Sequence, residues 1–307
     1  MESRAIKIAS RESALAMVQA HFIRDLIGGE IVGVTSEGDI NLQSPLYSMP
    51  GVGIFVKQLE IELLSGRADL AAHCLKDMPT STTEGLVIAA ILPFNTSRGD
   101  VAVLKPGITN LESLPNNSII GTSSLRRQAS LAYKYQNKDF RFQNIRGNLN
   151  TRIKKLESGE YDCIILAAAG IARLNLQNTL NIEILDEKEY LYAPGQAALA
   201  LECRENDHEL IKYLKTFECQ ETRLRCLAER AFMKDLEGGC KLPIGVYTEV
   251  NGGILTLVGQ VWHTTQPLTV FDSVSGDILT AEELGKQLSE KVKSQGGLEI
   301  LSGIVHK

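Results

Sequence analysis

The chain has 307 residues, 44% of them hydrophobic and 22% charged, which is typical of a soluble globular protein large enough for roughly two or three domains. Its formal net charge of -5 argues against a protein held to nucleic acid by bulk positive charge, although a local basic cleft is compatible with it. The six cysteines form no Cys-x-x-Cys pair and have no zinc-ligand spacing with histidine, so we predict no metal site and no disulfide framework.

The N-terminal stretch predicts a strand, a polar turn and a helix, the first half of a βαβ unit. The strand pattern covers residues 5–9, and the apolar residues of the helix share one face: Leu15, Val18, Phe22 and Leu26. Ser10, Arg11 and Ser13 lie in the turn, where the positive end of the helix offers a site for an anion. An ordinary cap by Ser10 beside a solvated Arg11 would explain the same residues.

The strand pattern at residues 31–34 comes next, and a later one at residues 68–73 leads to two charged residues, Lys76 and Asp77. Open α/β sheets bind ligands at the carboxyl ends of their strands, so Asp77 could act as a general acid or base or steady a cation. A turn-forming Asp beside a surface Lys is the alternative, and the residues alone leave both open. We interpret His73 as a packed strand residue. The long Ser-, Gly- and Pro-rich stretch 36–53 predicts a binding loop or lid.

A second α/β region begins near residue 101, after a polar crossing. Its strand at residues 118–120 leads into a turn of three hydroxyl residues, namely Thr122, Ser123 and Ser124. Arg126 and Arg127 then occupy the first turn of a helix, where cations oppose the helix dipole. Helix stability alone would favour acidic residues there, so we predict an anionic ligand.

The same arrangement recurs twice further along the chain. Strand patterns at residues 140–145 and 161–167 each precede a helix, and arginines lie near both transitions: Arg146, Arg152 and Arg173. Parallel strands bring such transitions to one edge of a sheet, so the arginines should line a cleft for carboxylates or phosphates. The sequence has neither a Walker motif nor a Gly-x-Gly-x-x-Gly before a helix, so nucleotide binding lacks support.

After about residue 216 the pattern becomes that of a small α+β domain. A helix runs toward a Gly-Gly pair that can end it in a left-handed turn, and Cys240 follows in a tight loop. The thiol could meet a ligand there or could be a small buried hydrophobe. A hairpin signalled by Asn251-Gly252, a third strand and an amphipathic helix complete the domain.

These patterns predict an α/β fold of two periplasmic-binding-protein-like lobes with doubly wound sheets, plus a small C-terminal α+β domain. With a return crossing at residues 191–203, the expected units are 1–95 with 195–215, 98–190 and 217–307. No apolar run approaches the length of a membrane span, and the N-terminus does not have the pattern of a signal peptide, so we expect a cytoplasmic protein.

Several blocks of this sequence together resemble the porphobilinogen deaminase family, also called hydroxymethylbilane synthases. The blocks are Ile8-Ala9-Ser10-Arg11-Glu12-Ser13, His73-Cys74-Leu75-Lys76-Asp77-Met78-Pro79, Gly121-Thr122-Ser123-Ser124-Leu125-Arg126-Arg127-Gln128 and Glu237-Gly238-Gly239-Cys240. Arg146-Gly147-Asn148 and Ala169-Gly170-Ile171-Ala172-Arg173 add to them. The similarity extends over nearly the whole chain, and the third and fourth blocks are very specific.

The resemblance implies a transferase of tetrapyrrole and heme biosynthesis. It would join four porphobilinogen molecules head to tail with loss of ammonia and release the linear tetrapyrrole with water. Cys240 would carry a dipyrromethane cofactor through a thioether, and Asp77 would be the catalytic carboxylate. The implied cofactor-binding residues are Lys76, Ser124, Arg126, Arg127 and Arg146. The implied substrate-binding residues are Arg11, Ser13, Thr122, Ser123, Arg152 and Arg173. We expect a monomer with no nucleic-acid or membrane partner.

Three positions depart from the family pattern. Val52 stands where members commonly have a Lys, Ala197 where a Gly usually follows the Gln, and Cys74 where Ser is frequent. Val52 would alter a contact made by the lid loop, and Ala197 would stiffen a hinge. They leave Asp77, Cys240 and the arginines intact, so we expect an active enzyme.

Two other classes of function would account for some of these residues. A two-lobed protein that binds small anions without catalysis would explain the arginines but not a Gly-flanked thiol on a third domain. A nucleic-acid-binding protein would conflict with the net charge and with the lack of interleaved aromatic and basic residues.

Overall fold

The protein, seen in a computed structural model, is described at residues 5–35, 53, 55–236 and 242–305, which form three sheets with helices packed on them. The strands are β1 (Lys7–Arg11), β2 (Glu30–Val34), β3 (Leu70–Cys74), β4 (Leu86–Ile91), β5 (Asp100–Leu104), β6 (Ile119–Gly121), β7 (Arg141–Gln143), β8 (Cys163–Ala167), β9 (Ile182–Ile184), β10 (Leu199–Arg204), β11 (Ile244–Asn251), β12 (Ile254–Trp262) and β13 (Thr269–Asp277). The helices are α1 (Ala14–Ile27), α2 (Lys57–Leu64), α3 (Leu125–Lys134), α4 (Leu149–Glu157), α5 (Ala168–Arg173), α6 (His208–Lys215), α7 (Gln220–Asp235), α8 (Ala281–Ser294) and α9 (Gly297–Val305).

The first lobe is the sheet β2-β1-β3-β10-β4 with helices on both faces. Strands β1, β2 and β3 are parallel, whereas β10 runs antiparallel between β3 and β4. Neighbouring residues of β1 point to opposite faces, so Ile8 packs with Ile23 of α1 while Ala9 packs with Leu59 of α2. Cover on both faces explains why Ile8, Ala9, Leu70 and Ala71 are all fully buried.

The second lobe is the sheet β7-β6-β8-β5-β9, which repeats this plan. Strands β6, β7 and β8 are parallel, and β5 runs antiparallel beside β8. In each lobe the antiparallel strand is the first strand that the chain forms after it crosses from the other lobe. Strand β5 follows the crossing at residues 92–99, and β10 follows the crossing at residues 185–198. The carboxyl ends of β6, β7 and β8 therefore share one edge, as predicted.

The third domain is an antiparallel sheet, β11-β12-β13, with α7 and α8 packed on it. The predicted hairpin is confirmed by the pairing of Asn251 with Ile254. Gly259 lies where α7 packs closely on β12, because an added Cβ would be 2.5 Å from the Phe232 ring. The two doubly wound lobes and this domain confirm the predicted fold class. None of the helices among the described residues has the length and hydropathy needed to cross a bilayer.

The structure differs from the sequence pattern at α1. Val18, Phe22 and Leu26 are 39%, 43% and 40% exposed, and the buried stripe contains Ile23 and Ile27 instead. The periodicity correctly predicts an amphipathic helix. The sheet, however, covers the neighbouring stripe of the helix and not the predicted one. The short β9, together with α6 and α9, was not predicted. Helix α7 ends at Asp235, and residues 237–241 lie outside the described part of the chain.

Candidate active site

Asp77 lies in a short turn directly after β3, beyond the carboxyl end of the strand. A 3-10 turn over Leu75–Asp77 continues the chain, and the amide of Met78 donates to the Leu75 carbonyl at 3.1 Å. Asp77 lines a cavity of about 30 Å³ whose wall includes Arg11, Gln19, Phe55 and Cys74. The Arg11 guanidinium stacks over the Phe55 ring at 4.2 Å. Two residues predicted from separate blocks, Arg11 and Asp77, thus face one cavity.

Lys76 points from the same turn toward the crossing between the lobes. Its ammonium donates to Oε1 of Gln196 at 3.0 Å. Burial lowers the pKa of Lys76, and the negative charge of Asp77 partly offsets that effect. The side chain therefore connects the Asp77 turn to the crossing and lies beside the Asp77 carboxylate.

Arg126 and Arg127 are buried in the first turn of α3, where they share the carboxylate of Asp100. The Arg126 guanidinium donates to Asp100 at 2.8 Å, and that of Arg127 donates at 2.7 and 3.1 Å. Burial alone would raise the pKa of Asp100, but the two guanidinium groups outweigh it and hold the pKa well below its ordinary value. These cations at a helix N-terminus thus have an internal counter-charge, which the sequence reasoning missed.

The other three arginines predicted for the cleft approach the same region. Arg146 follows β7 and is 7% exposed. Arg152 donates from Nε to the Gly147 carbonyl at 2.9 Å. Burial, with Arg127 and Arg146 nearby, lowers the pKa of Arg152 to about 10, while the charge of Asp77 acts in the opposite direction. This electrostatic contact spans the two lobes, since Asp77 belongs to the first.

Arg173 ends α5 and reaches the crossing between the lobes. It donates to the carbonyl of Ala197 at 2.6 Å. Ala197 has a φ of +71°, in the left-handed region that favours glycine. The predicted departure from the family pattern therefore falls on a residue whose backbone conformation suits the missing glycine.

The four predicted hydroxyl residues all take part in local hydrogen bonds. Ser13 caps α1, so the cap is not Ser10, and Ser124 caps α3. The Thr122 hydroxyl accepts from the Ser124 amide at 3.2 Å, and the Ser123 hydroxyl donates to the Ile145 carbonyl at 2.9 Å. These bonds shape the turns that lead into the helices.

The charges of this region fit a group that carries several carboxylates. Seven cations lie near two acidic residues, Asp77 and Asp100, in the part of the chain that the structure describes: Arg11, Lys76, Arg126, Arg127, Arg146, Arg152 and Arg173. The buried Nε atoms of Arg126 and Arg173 have no hydrogen-bond partner among the described residues. Such donors cost free energy unless a ligand accepts from them, so the donor set suits a ligand that carries carboxylates. Cys240 and Val52 lie outside the described residues.

A buried network that the sequence reasoning missed joins the crossings to the third domain. Arg98 pairs with Glu187 at 2.9 Å and donates to the Tyr192 hydroxyl and the Thr248 carbonyl. Glu229 of α7 accepts from the Tyr192 hydroxyl at 3.1 Å. The partners are 94 and 150 residues from Arg98 in sequence, so no local pattern could have indicated them.

Some solved structures resemble this chain weakly. A periplasmic domain of BvgS from Bordetella pertussis is 16% identical, with a TM-score of 0.39, over 68% of this chain and 84% of that one. An ancestral arginine-binding protein is 14% identical, with a TM-score of 0.38, over 69% of this chain and 89% of that one.

Curated proteins resemble the chain far more strongly. The porphobilinogen deaminase of a Nostoc species is 43% identical over 98% of this chain and 95% of its own length. Those of Prochlorococcus marinus subsp. pastoris and Synechococcus elongatus are 42% and 41% identical, over 97% and 98% of this chain and 96% of each relative.

Two family models cover most of the sequence. The model described as porphobilinogen deaminase, dipyromethane cofactor binding domain, matches residues 6–212, and the model of the C-terminal domain matches residues 223–294. With the curated relatives, these matches confirm the resemblance drawn from the sequence blocks. The chain belongs to the porphobilinogen deaminase family.

Proposed function

We propose that this chain is a hydroxymethylbilane synthase whose reaction is centred on Asp77. It joins four porphobilinogen molecules head to tail, releases one ammonia for each, and frees the linear tetrapyrrole by hydrolysis. The observation that carries the proposal is the position of one carboxylate, Asp77, among half-buried cations from both lobes. The alternative of a non-catalytic anion-binding protein is not favoured, because the chain belongs to an enzyme family.

The arginines supply binding and orientation. Each porphobilinogen carries an acetate and a propionate, so a growing chain brings a series of carboxylates into the cleft. Guanidinium groups hold carboxylates in a planar, two-point geometry, which lysine does not provide. We assign Arg11, Arg152 and Arg173 to the substrate, with support from Ser13, Thr122 and Ser123.

Asp77 supplies the charge that the reaction needs. When ammonia leaves the aminomethyl group, positive charge develops on the pyrrole, and a fixed carboxylate stabilises that charge in a partly dry cavity. The carboxylate can also accept hydrogen bonds from pyrrole N–H groups and pass a proton as the new bond forms. The charge of Asp77 already acts on Lys76 and Arg152, where it offsets part of the effect of burial on the pKa of each.

The dipyrromethane cofactor belongs with the Arg126 side of the cleft. We propose that Lys76, Ser124, Arg126, Arg127 and Arg146 hold it, and that the Cys240 thioether attaches it. When bound, it supplies the pyrrole carbon to which the first substrate is joined. The unpartnered Nε of Arg126 supports this assignment.

We also propose the division into units 1–95 with 195–215, 98–190 and 217–307, and a cytoplasmic monomer that acts without nucleic acid or membrane. Five cysteines of the described residues are free thiols, which supports a reducing compartment.

Two measurements test the proposal. Intact masses of the purified protein and of Cys240→Ser should differ by two condensed porphobilinogen units beyond the substitution itself. Asp77→Asn should keep the fold and the bound mass but lose about 10²- to 10⁴-fold in kcat, whereas the exposed Glu84→Gln should match wild type. Bare masses in both proteins after incubation with porphobilinogen would refute the assignment of Cys240 as the cofactor attachment site. Full turnover by Asp77→Asn would refute the assignment of Asp77 as the catalytic carboxylate.

A further inference from the structure

Arg230 of α7 reaches out of the third domain to the turn that carries Asp77. Its guanidinium donates to the carbonyls of Leu75 at 3.4 Å and Met78 at 3.3 Å, and it also bonds the carbonyl of Pro79. These carbonyls flank Asp77 on both sides in sequence. One side chain therefore fixes the backbone before and after the carboxylate.

Apolar contacts of the same helix support this grip. Cys226, one turn before Arg230, packs in a cluster with Leu75 and Met78. Both apolar residues of the turn are buried, at 0% and 5% exposure. The carbonyls beside them need a donor in a place with little water, and the planar fork of an arginine can serve several at once.

The neighbouring residue of α7 holds the crossing between the lobes. Glu229 accepts from the amide of Gly195 at 2.8 Å. Gly195 in turn packs against the Asp77 turn, since an added Cβ would lie 3.0 Å from Leu75. Consecutive residues of one helix thus fix the crossing and the turn together, and that helix ends at Asp235, shortly before Cys240.

We propose that Arg230 is a positioning residue: it sets the place of the Asp77 carboxylate relative to the domain that bears Cys240. The proposal rests on the proposed function for its catalytic consequence. Displacing a reacting group by about 1 Å can cost roughly 100-fold in rate, so loss of this grip should reduce kcat rather than substrate affinity.

The test compares Arg230→Gln and Arg230→Lys with a control on the same helix, Arg223→Gln. Arg223 is 38% exposed and pairs with Glu218 at 2.6 Å, so its loss removes the same charge without touching the turn. For Arg230→Gln we expect a 10- to 100-fold lower kcat, a KM within about threefold of wild type, and an unchanged intact mass. Arg230→Lys should retain part of the wild-type rate, and Arg223→Gln should have the full wild-type rate.

A second readout needs no turnover. Amide hydrogen exchange in the peptide spanning residues 74–82 should be at least tenfold faster in Arg230→Gln than in wild type or the control, with the rest of the chain unchanged. Unchanged exchange in this peptide, or faster exchange throughout the chain, would overturn the proposal. If wild type failed to consume porphobilinogen, the proposed function would fall, and the exchange result would still decide whether Arg230 holds the turn.

Discussion

Asp100 should be the most costly single charge to remove from the second lobe. The side chain is 2% exposed and accepts from Arg126, Arg127 and Gln196, the last at 2.9 Å. Asp100→Asn keeps the shape but leaves two buried guanidinium groups without their counter-charge. Removing one partner of a buried ion pair costs about 3–5 kcal/mol of unfolding free energy, which corresponds to a fall in Tm of roughly 6–20 °C.

The control is an acidic residue of the same lobe whose ion pair is exposed. Glu189 pairs with Lys134 and is 61% exposed, so Glu189→Gln should cost less than about 1 kcal/mol. Thermal melting and urea unfolding of both variants beside wild type would measure the difference. A cost below 1 kcal/mol for Asp100→Asn would refute the reasoning, because Asp100 would then not compensate the arginines.

The pH dependence of stability tests whether Asp100 is negatively charged in the fold. The pKa of Asp100 is lowered in the fold, so its stabilisation is present above the ordinary value of 3.8 and disappears as pH falls through the folded pKa. The difference in Tm between wild type and Asp100→Asn should therefore be constant from pH 5 to 8 and shrink only in acid. A difference that grows on acidification would contradict the assigned charge.

Three further substitutions have effects that the structure sets in sign and size. Ala197→Gly should raise the unfolding free energy by roughly 0.5–1 kcal/mol, since relief of the left-handed φ of +71° exceeds the added chain entropy; an equal or lower Tm would count against strain there. Gly259→Ala should cost about 1–3 kcal/mol in urea unfolding, because its methyl group would lie 2.5 Å from an aromatic carbon of α7, and a neutral result would mean that the helix yields. Glu202→Ala should cost about 2–5 kcal/mol because it strands buried His73, bonded at 2.9 Å, whereas Glu62→Ala, whose Arg67 partner is 58% exposed, should cost below 1 kcal/mol; similar Tm values for the two would reject the distinction.

Features that depend on short stretches could be predicted from the sequence. The strand-to-helix transitions that carry Arg126, Arg146 and Arg173 follow from a change of hydrophobic period next to polar turns. Their meeting at one edge follows from the parallel pairing of β6, β7 and β8. Sequence reasoning therefore anticipated that Arg11 and Arg152 approach Asp77.

Features that depend on distant pairings could not be predicted in this way. Asp100 meets Arg127 across 27 positions, and His73 meets Glu202 across 129. The wrong prediction of the buried stripe of α1 has a different reason. Periodicity shows that a helix is amphipathic, but it does not show which stripe the sheet covers. Arg230 had no signal because its partners are backbone carbonyls, which every sequence contains.

Strand β10 is synthesised long after the other strands of its sheet, and this affects how the first lobe folds during synthesis. The first lobe needs residues 199–204 between β3 and β4, whereas the second lobe is complete within one continuous stretch, residues 100–184. On a ribosome that adds about 5–20 residues per second, the N-terminal sheet waits roughly 5–25 s with two strand edges unpaired. The lobe that begins first therefore finishes second, and during that interval its open edges are the place where a nascent chain is most exposed to aggregation and most in need of a chaperone.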